Sequence, residues 1–423
     1  MIYYFLNALI VKDHRPKPKT KNEYMPTVAI IGPELYPIPP IRGGAVELFI
    51  EQTAARLQRW RPVVIGPSDP ELPDHEVRSG VEYFRIPLGG WRGWLYRRYR
   101  QYFPLYDQQV AKILRQVQPD LLHVHNRPLL VLSLQKSRDL EKIPIILHMH
   151  NLYNSLGRRE RPDLATSIPL AGFIGCSRFV VDREKSRLAR DTAAHFVVYN
   201  GVDAGAFLTS WNHPEPRQKL RQQFHLDDDE PTILFVGKLR ESKGVHILLA
   251  AMEKVWARFP QTVLVLVGGT EFGLGRTDRE TPFLKDLRRQ IERARGRVVL
   301  TGFIPPARIP EVYLLGDVFV APSQIEEGLG MVFLEAAAAG LPAIATRQGG
   351  IPEVVRDGET GLMLDKKDDD RELADKILAL VWHQEQRKKM GRQGREWVKE
   401  NFSWEKIAQR QEEVYEEIVS SKQ

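Results

Sequence analysis

The chain has 423 residues, which is too long for one ordinary hydrophobic core and favours two or three domains. With 43% hydrophobic and 27% charged residues it matches a globular protein, and its single cysteine, Cys176, excludes an internal disulfide and a cysteine-built metal site. The net charge of +7 suits partners that carry phosphate or carboxylate groups, but over this length it does not indicate nucleic acid. So little cysteine favours a reducing compartment, and we expect a cytoplasmic protein.

Residues 1–24 are predicted to be an extension without an ordered fold. The opening MIYYFLNALIV is apolar but well short of the ~18 residues that a spanning helix needs. Its basic residues follow the apolar run instead of preceding it, an order that fits a cleaved signal peptide poorly. A loosely attached extension is the favoured interpretation, and a weak anchor in the membrane interface is the alternative.

Residues 25–204 are predicted to form the first domain, because short apolar runs alternate there with amphipathic stretches. Repeated alternation of this kind favours a parallel sheet with helices on both faces. The helix after the first run is expected from about Ala45 to Trp60. The predicted strands are, in chain order, 28–32, 63–65, 121–124, 145–148, 172–175 and 196–199.

A turn-rich, proline-containing stretch at 205–230 predicts a linker, and a second alternating series fills residues 231–402. An amphipathic helix at 403–421, with Ser403 as its N-cap, ends the chain. The predicted fold class is α/β, with two doubly wound Rossmann-like domains that face each other across a ligand-binding cleft. The strands predicted for the second domain are 232–236, 263–267, 298–300, 318–321, 343–345 and 361–364.

The stretch 317–353 carries the strongest indication of a ligand site. A strand, a polar loop and a helix follow one another there, and the helix begins at the turn Gly330-Met331-Val332. Free N–H groups at a helix start attract anions, and a glycine lets a ligand approach the main chain. Glu327 and Glu335 flank this turn and can accept hydrogen bonds from sugar hydroxyls. The alternative is that the acidic residues only stabilise the helix start.

Two further loops precede predicted helices and offer groups that suit a phosphate. Lys238 and Lys243 follow the first strand of the second domain and can neutralise a diphosphate, although an ordinary solvated loop is the alternative. Gly43 and Gly44 precede the first helix and permit close approach of a phosphate or sugar to the backbone. Taken alone, the paired glycines are a weak indication, because many turns contain them.

Two histidine pairs end consecutive strands of the first domain, His123 with His125 and His148 with His150. Strand alternation places both members of each pair on one face of the sheet. A metal site is conceivable, but no cysteine or acidic ligand accompanies the four rings. A hydrogen-bonding role for His150 at the strand tip is the favoured interpretation.

The stretch Trp91–Arg100 interleaves aromatic residues with arginines. Such a composition fits contact with a membrane surface or a polyanionic acceptor. The alternative, which we favour, is a helix with an apolar seam and a solvated basic face.

Together these residues resemble glycosyltransferase family 4, whose members are retaining enzymes with the two-domain GT-B fold. The resemblance covers nearly everything from Thr27 to Ile418, and its most specific parts are FVGKLRESKGV, EEGLGMVFLEAAAAGLPAI and GGIPEVVRDGETGLML. Weaker agreement comes from HVHNRP, HMHN, YNGVD and FSWEKIA. The RGG loop with HVHNRP and HMHN is most similar to the spore-coat SA-type members of bacilli.

The resemblance implies a role for each residue singled out in the second domain. Glu335 would hydrogen-bond the ribose of a nucleotide, and Gly330, Met331 and Val332 would meet the diphosphate and the sugar. Glu327 would hold the transferred sugar.

The resemblance also implies roles for the two lysines and for the first domain. Lys238 and Lys243 would balance the phosphate charge as the glycosidic bond breaks, and His150 would stand near the sugar. Gly43 and Gly44 would close over the donor, and the last helix would cross back to the first domain.

Two departures from the family pattern leave the donor open. The family usually has arginine where this chain has Lys238, so a bidentate fork is replaced by a point charge. Glu326 and Leu329 stand around the first glutamate, where proline and phenylalanine are common in the family.

The expected activity is transfer of a hexose from a nucleotide-diphosphate donor, and a UDP-sugar is the first choice of donor. No metal or other cofactor is expected. The expected acceptor is a glycan, lipid or protein of the cell envelope or spore coat, and no nucleic acid. Peripheral association with a membrane or with the spore coat fits this expectation.

The alternatives are a nucleotide-sugar epimerase or a phosphorylase of the same fold, or a coat protein that has lost catalysis. Asp227-Asp228-Asp229 fits the metal motif of the other glycosyltransferase fold, but it lies in the predicted linker.

Overall fold

The structure is a computed structural model that describes residues 24–88, 105–155, 168, 170–189, 194–269 and 281–421. The chain divides into two compact units. The first comprises Met1–Asn200 together with Trp404–Gln423, and the second comprises Gly201–Ser403. Most of the extension 1–24 and all of the basic aromatic stretch Trp91–Arg100 lie outside the described residues.

The first unit is built on an eight-stranded sheet with the order β3-β4-β2-β1-β5-β6-β7-β8. Every pairing is parallel except that of β3 with β4, which is antiparallel. Strands β1, β2, β5, β6 and β7 consist almost entirely of buried residues, as expected for a sheet covered on both faces. The strands are β1 Thr27–Ile31, β2 Arg61–Pro67, β3 His75–Arg78, β4 Val81–Ile86, β5 Leu121–His125, β6 Ile145–Met149, β7 Gly172–Gly175 and β8 His195–Val197.

The described helices of the first unit pack on this sheet, and the last of them comes from the end of the chain. They are α1 Ala45–Ala54, α2 Leu105–Val117, α3 Pro128–Gln135, α4 Arg178–Leu188 and, after the second unit, α13 Trp404–Ser420. Helix α13 packs beside α1, where the rings of Phe49 and Trp404 lie 6.1 Å apart. The main-chain N–H of Gln58 also donates to the Glu412 carboxylate at 2.6 Å. The last helix is therefore part of the first unit.

The second unit contains a six-stranded parallel sheet with the order β11-β10-β9-β12-β13-β14. This corresponds to the 3-2-1-4-5-6 order of the doubly wound fold, which places ligands outside the carboxyl ends of the central strands. The strands are β9 Thr232–Val236, β10 Val263–Val267, β11 Val298–Gly302, β12 Val318–Ala321, β13 Ala343–Thr346 and β14 Gly361–Leu364. The described helices are α5 Pro214–Gln223, α6 Val245–Arg258, α7 Pro282–Glu292, α8 Ile309–Val312, α9 Met331–Ala338, α10 Ile351–Val354, α11 Asp370–Trp382 and α12 Gln384–Asn401.

The prediction of a linker at 205–230 is wrong. These residues belong to the second unit and include helix α5. The reason is Arg221, whose buried guanidinium donates to the carbonyl of Leu315 at 2.8 Å and to that of Glu230 at 2.7 Å. A buried arginine with several carbonyl acceptors holds a segment firmly, although its composition is that of a loop.

Strands β3 and β4 were not predicted, because HEVRSGVEYFRI is too polar to look like the neighbouring buried runs. Strand β3 is the edge of the first sheet and exposes every second residue, and β4 pairs with β3 on one side and β2 on the other. Within the described part of the chain, no helix is both long and apolar enough to cross a bilayer.

Candidate active site

The second unit brings two predicted site loops together at the carboxyl ends of neighbouring strands. Strand β12 pairs with β9 in parallel, with Val318 opposite Ile233. The loop after β9 contains both lysines, and the loop after β12 contains Glu327. The two loops are joined by a hydrogen bond from the main-chain N–H of Gln324 to the carbonyl of Ser242, at 2.9 Å.

Lys243 and Glu327 form an ion pair in this position. Lys243 Nζ lies 2.5 Å from Glu327 Oε1, and both side chains are partly exposed, at 33% and 19%. Ser323 Oγ donates to the same oxygen at 2.8 Å. Both observed donors therefore lie on Oε1, and among the described residues no hydrogen bond reaches Oε2. One oxygen is held by the protein, and the other is left to accept a hydrogen bond from a ligand.

The main chain at Glu327 is fixed by the two glycines that follow β13. The N–H of Gly350 donates to the carbonyl of Glu327 at 2.9 Å. A Cβ atom on Gly349 would lie 2.2 Å from the same carbonyl oxygen, and Gly349 has a φ of 66°. Only glycine fits such a conformation at such a close approach. The glycine pair thus supports the position of the Glu327 side chain.

Helix α9 begins four residues after Glu327, and no side chain caps its first main-chain N–H groups. Its N-cap, Gly330, has a φ of 90° and offers no side chain to cap the helix. The first-turn residues Met331 and Val332 are half-buried. Uncapped N–H groups at a helix start bind phosphate or hydroxyl oxygens.

Glu335 lies one turn into α9 and is held by a tyrosine. Tyr313 O–H donates to Glu335 Oε2 at 2.7 Å. Burial raises the pKa of Glu335 to about 7, and the hydrogen bond from Tyr313 acts in the opposite direction. Near neutral pH, therefore, a hydrogen bond from a ligand hydroxyl would favour the ionised form.

Lys238 is half-buried in the loop after β9, five positions before Lys243.

In the first unit, Gly43 and Gly44 form the turn before α1, with φ values of 87° and 122°. The Glu47 carboxylate lies against this turn, since a Cβ atom on Gly44 would lie 2.0 Å from its Oε2. Burial raises the pKa of Glu47 to about 7. Arg42 is not directed to the turn, because Asp69 accepts both its Nε–H and an Nη2–H at 2.9 Å.

His150 lies at the end of β6, where three groups of the first unit hold it. Its main-chain N–H donates to Asn126 Oδ1 at 2.8 Å, and its Nδ1 lies 3.0 Å from Asn200 Oδ1. Its Nε2 lies 2.9 Å from Nδ1 of His125. Both ring nitrogens are thus engaged within the unit, and the residue is 6% exposed.

The histidine pairs form the group of side chains best placed to hold a metal ion within the described residues. One ring nitrogen of each of His123, His125 and His148 lies within 4.8 Å of the others. Burial lowers the pKa of all three, so the rings are neutral, which metal binding requires.

Two family models match the chain, one in each half. The model for glycosyltransferase family 4 matches residues 42–205, and the model for glycosyl transferases group 1 matches residues 216–397. Spore coat protein SA of Bacillus subtilis is 30% identical over 402 residues, which cover 92% of this chain and 99% of that protein. This chain belongs to glycosyltransferase family 4. The putative glycosyltransferase YtcC of the same organism is 31% identical, with 93% of each chain covered.

Solved structures agree with this family 4 assignment at the level of fold. The Anabaena protein HepE in complex with UDP and glucose is 21% identical, with a TM-score of 0.69, and the match covers 92% of this chain and 98% of HepE. The family 4 enzyme therefore has the GT-B fold expected from its sequence, with two Rossmann-like domains.

Three contributors to the site were not identified from sequence: Ser323, Tyr313 and the pair Gly349-Gly350. Ser323 had a local signal, because it lies four residues before Glu327 in the same loop. Tyr313 had none, since it lies 22 residues before Glu335 and reaches it only through tertiary packing. The glycine pair lies within GGIPEVVRDGETGLML, but nothing in that stretch indicates contact with Glu327.

Proposed function

We propose that this family 4 enzyme is a retaining glycosyltransferase that takes a hexose from a UDP-sugar. The observation that carries the proposal is the ion pair of Lys243 with Glu327, which lies before the uncapped start of helix α9. A cation, a row of N–H groups and a carboxylate with one open oxygen suit the diphosphate and the hydroxyls of one nucleotide sugar.

Each group has a distinct task in this proposal. Lys243 turns from Glu327 toward the diphosphate, with Lys238 beside it, and both stabilise the negative charge that grows on the leaving group. Glu327 Oε2 accepts from a hydroxyl of the transferred sugar. On the main chain of α9, Gly330, Met331 and Val332 meet the phosphate.

Glu335 supports the nucleotide end of the donor. Tyr313 occupies its Oε2, so Oε1 is assigned to a ribose hydroxyl. In the first unit, His150 stands near the donor sugar, and Gly43 and Gly44 form the turn that approaches it.

The chemistry needs no covalent intermediate in this proposal. The glycosidic bond to the phosphate oxygen breaks as the acceptor oxygen attacks from the same face, and the leaving phosphate takes the acceptor's proton. The configuration at the anomeric carbon is retained. The alternative, with Glu327 as nucleophile, gives the same stereochemistry through a glycosyl-enzyme intermediate.

Metal independence is part of the proposal. The two lysines and the helix start supply the positive charge that a divalent cation supplies in other transferases. In this proposal Asp227-Asp228-Asp229 is not a metal site; it lies at the turn after α5, where Asp228 accepts from Gln218 at 2.7 Å, apart from the residues assigned to the donor.

The acceptor is proposed to be a glycan, lipid or protein of the cell envelope or spore coat. The similarity to spore coat protein SA supports this class. The proposed location is the cytoplasm, with peripheral attachment to a membrane or to the spore coat. Nucleic acid is not a proposed partner.

The first experiment is a thermal-shift screen with UDP-, GDP- and ADP-sugars in the presence of EDTA, and UDP-glucose is the first ligand tested. A ligand that binds only the native state raises the unfolding temperature by mass action. Product analysis by NMR then separates the reactions, since transfer gives an α-linked product from an α-donor and epimerisation gives an isomerised donor. Activity that EDTA abolishes and manganese restores would contradict the proposed mechanism, and failure to bind any donor would favour a coat protein without catalysis.

A further inference from the structure

The four histidines of β5 and β6 form two stacked layers. His123 and His148 lie side by side with ring planes 5° apart and centroids 5.3 Å apart, and His125 lies beside His150. His123 lies over His125 with ring planes tilted by 39°, and His148 stacks on His150 with planes 22° apart, each pair at a centroid distance of 4.1 Å. All four rings are buried, so neighbouring side chains decide which nitrogen of each ring carries the proton.

Asn200 determines the protons of one layer. Burial lowers the pKa of His150 to about 4 and that of His125 well below the ordinary value, so each ring carries a single N–H. Because a carboxamide oxygen can only accept, His150 Nδ1–H donates to Asn200 Oδ1 at 3.0 Å. His150 Nε2 is then a bare acceptor, and His125 Nδ1–H donates to it at 2.9 Å.

Helix α13 supplies the same control to the other layer. Gln411 Nε2 donates to the Tyr415 hydroxyl at 2.6 Å. The hydroxyl in turn lies 2.6 Å from His123 Nδ1, and His123 Nε2 lies 3.2 Å from His148 Nδ1. The Tyr415 hydroxyl then donates to His123 Nδ1, and His123 Nε2–H donates to His148 Nδ1. Both layers are thus ordered without any charged ring.

The surroundings of His150 are also uncharged on most sides. The titratable groups that face it are the other three histidines and Cys176, whose thiol donates to the His150 carbonyl at 3.5 Å. Helix α1 covers the ring with Phe49, at a centroid distance of 4.9 Å. Two positions before Phe49, the same helix carries Glu47, whose pKa burial raises to about 7.

We propose that Asn200 is a positioning residue for sugar transfer, which holds His150 in its neutral Nδ1–H tautomer. Glycosyl transfer develops positive charge on the sugar ring, and an imidazolium beside the ring would oppose that charge. A carboxamide at position 200 fixes the ring without charging it, whereas a carboxylate would stabilise the imidazolium. The inference rests on the proposed placement of His150 near the donor sugar.

A metal ion on the same histidines is the competing interpretation. His125 Nε2 and His148 Nε2 have no hydrogen-bond partner in the described part of the chain. However, imidazole lone pairs lie in the ring plane, and His123 Nε2 faces His148 Nδ1 at 3.2 Å in nearly coplanar rings, which is the arrangement of a hydrogen bond. Both nitrogens of His123 are, moreover, already engaged. The geometry therefore favours hydrogen bonding over metal binding.

The proton positions can be read directly by NMR of protein labelled with ¹⁵N-histidine, with His150→Gln identifying the His150 signals. We expect His150 of the wild type to carry its proton on Nδ1 at pH 6 to 8, and Asn200→Ala to lose this preference. A proton on Nε2, a charged ring in this range, or stoichiometric metal in the purified protein would overturn the proposal. This readout does not depend on knowing the sugar donor.

Activity gives the second readout, through Asn200→Asp. The carboxylate should charge His150, so we expect kcat/KM at pH 6 to fall at least about tenfold below wild type and to recover as rising pH removes the proton. Donor affinity should stay within about twofold, because the proposed nucleotide contacts lie in the second unit. A pH profile parallel to that of wild type would overturn the proposal. If no nucleotide sugar is turned over by wild type, the proposed function fails, while the NMR result still decides the tautomer.

Discussion

Lys243 and Glu327 lie 84 positions apart in the chain, yet Nζ of one stands 2.5 Å from Oε1 of the other. The contact arises because β9 and β12 are neighbours in the sheet, so the loops after them share one edge. The proposed reaction assigns Lys243 to the diphosphate and Glu327 to the sugar of one donor. In the structure these two side chains form an ion pair with each other. In the proposed mechanism, donor binding exchanges this pair for contacts with phosphate and sugar.

Removing the cation should weaken catalysis. A hydrogen bond to a charged group contributes about 1.5–3 kcal/mol, so we expect Lys243→Ala to lower kcat/KM about ten- to a hundredfold. The matched control is Lys254→Ala, because Lys254 Nζ also lies 2.5 Å from a carboxylate, that of Asp370, on the surface of the same unit. That variant should keep its activity within about twofold. Wild-type turnover by Lys243→Ala would remove Lys243 from the site.

The glycine at position 349 should matter for catalysis and not only for folding. In Gly349→Ala the new Cβ would meet the Glu327 carbonyl at 2.2 Å, so the loop must shift, and we expect kcat/KM to fall more than about tenfold. The control is Gly358→Ala, since Gly358 also has a positive φ, of 76°, but nothing lies within 4 Å of its Cβ position. That change should cost about 1–2 kcal/mol of folding free energy and leave turnover intact. Equal activity of the two variants would show that the Glu327 position does not depend on Gly349.

The pKa of Glu47 predicts a dependence of stability on pH. Folding raises this pKa from 4.5 to about 7 because burial disfavours the carboxylate. The contribution of Glu47 to stability is therefore fully present below pH 4.5 and is lost as pH rises through 7. We expect Glu47→Gln to be more stable than wild type at pH 8, by up to about 3 kcal/mol, and to lose this advantage toward pH 4.5. Urea unfolding at several pH values measures this difference in stability, and Glu400→Gln, at an exposed position, is the control. If the free energy of unfolding varied with pH in the same way for Glu47→Gln and wild type, the raised pKa of Glu47 would be contradicted.

Donor binding should depend on pH through Glu335. The pKa of this group is about 7, and the proposed ribose contact needs the carboxylate, so the affinity for a UDP-sugar should rise between pH 6 and 8. We expect Glu335→Gln to bind about tenfold more weakly at pH 8 and to show little dependence on pH. Titration calorimetry with a UDP-sugar checks this, since the diester does not titrate in that range. An unchanged affinity of the variant would remove Glu335 from the nucleotide site.

The sequence indicated those parts of the site that are encoded locally. The strand, the loop and the helix around Gly330 follow one another in the chain, and so their order and their carboxylates could be recognised. The partners of these residues come from distant positions. Tyr313 reaches Glu335, Gly350 reaches Glu327 and Asn200 reaches His150 only once both sheets are assembled. The segment 205–230 was misjudged for the same reason, because α5 is also held by turn carbonyls far along the chain, that of Leu315 on Arg221 and those of Leu314 and Gly316 on Arg217.

The most direct test of the central claim is single-turnover transfer from a bound UDP-sugar by Glu327→Gln and wild type, in EDTA. The variant keeps the shape of the side chain but removes the charge that pairs with Lys243 and, in the proposed mechanism, holds the sugar. We expect it to bind the donor within about threefold of wild type and to transfer the sugar at least about a hundredfold more slowly. Transfer at the wild-type rate would contradict the claim that Lys243 and Glu327 act on the same donor.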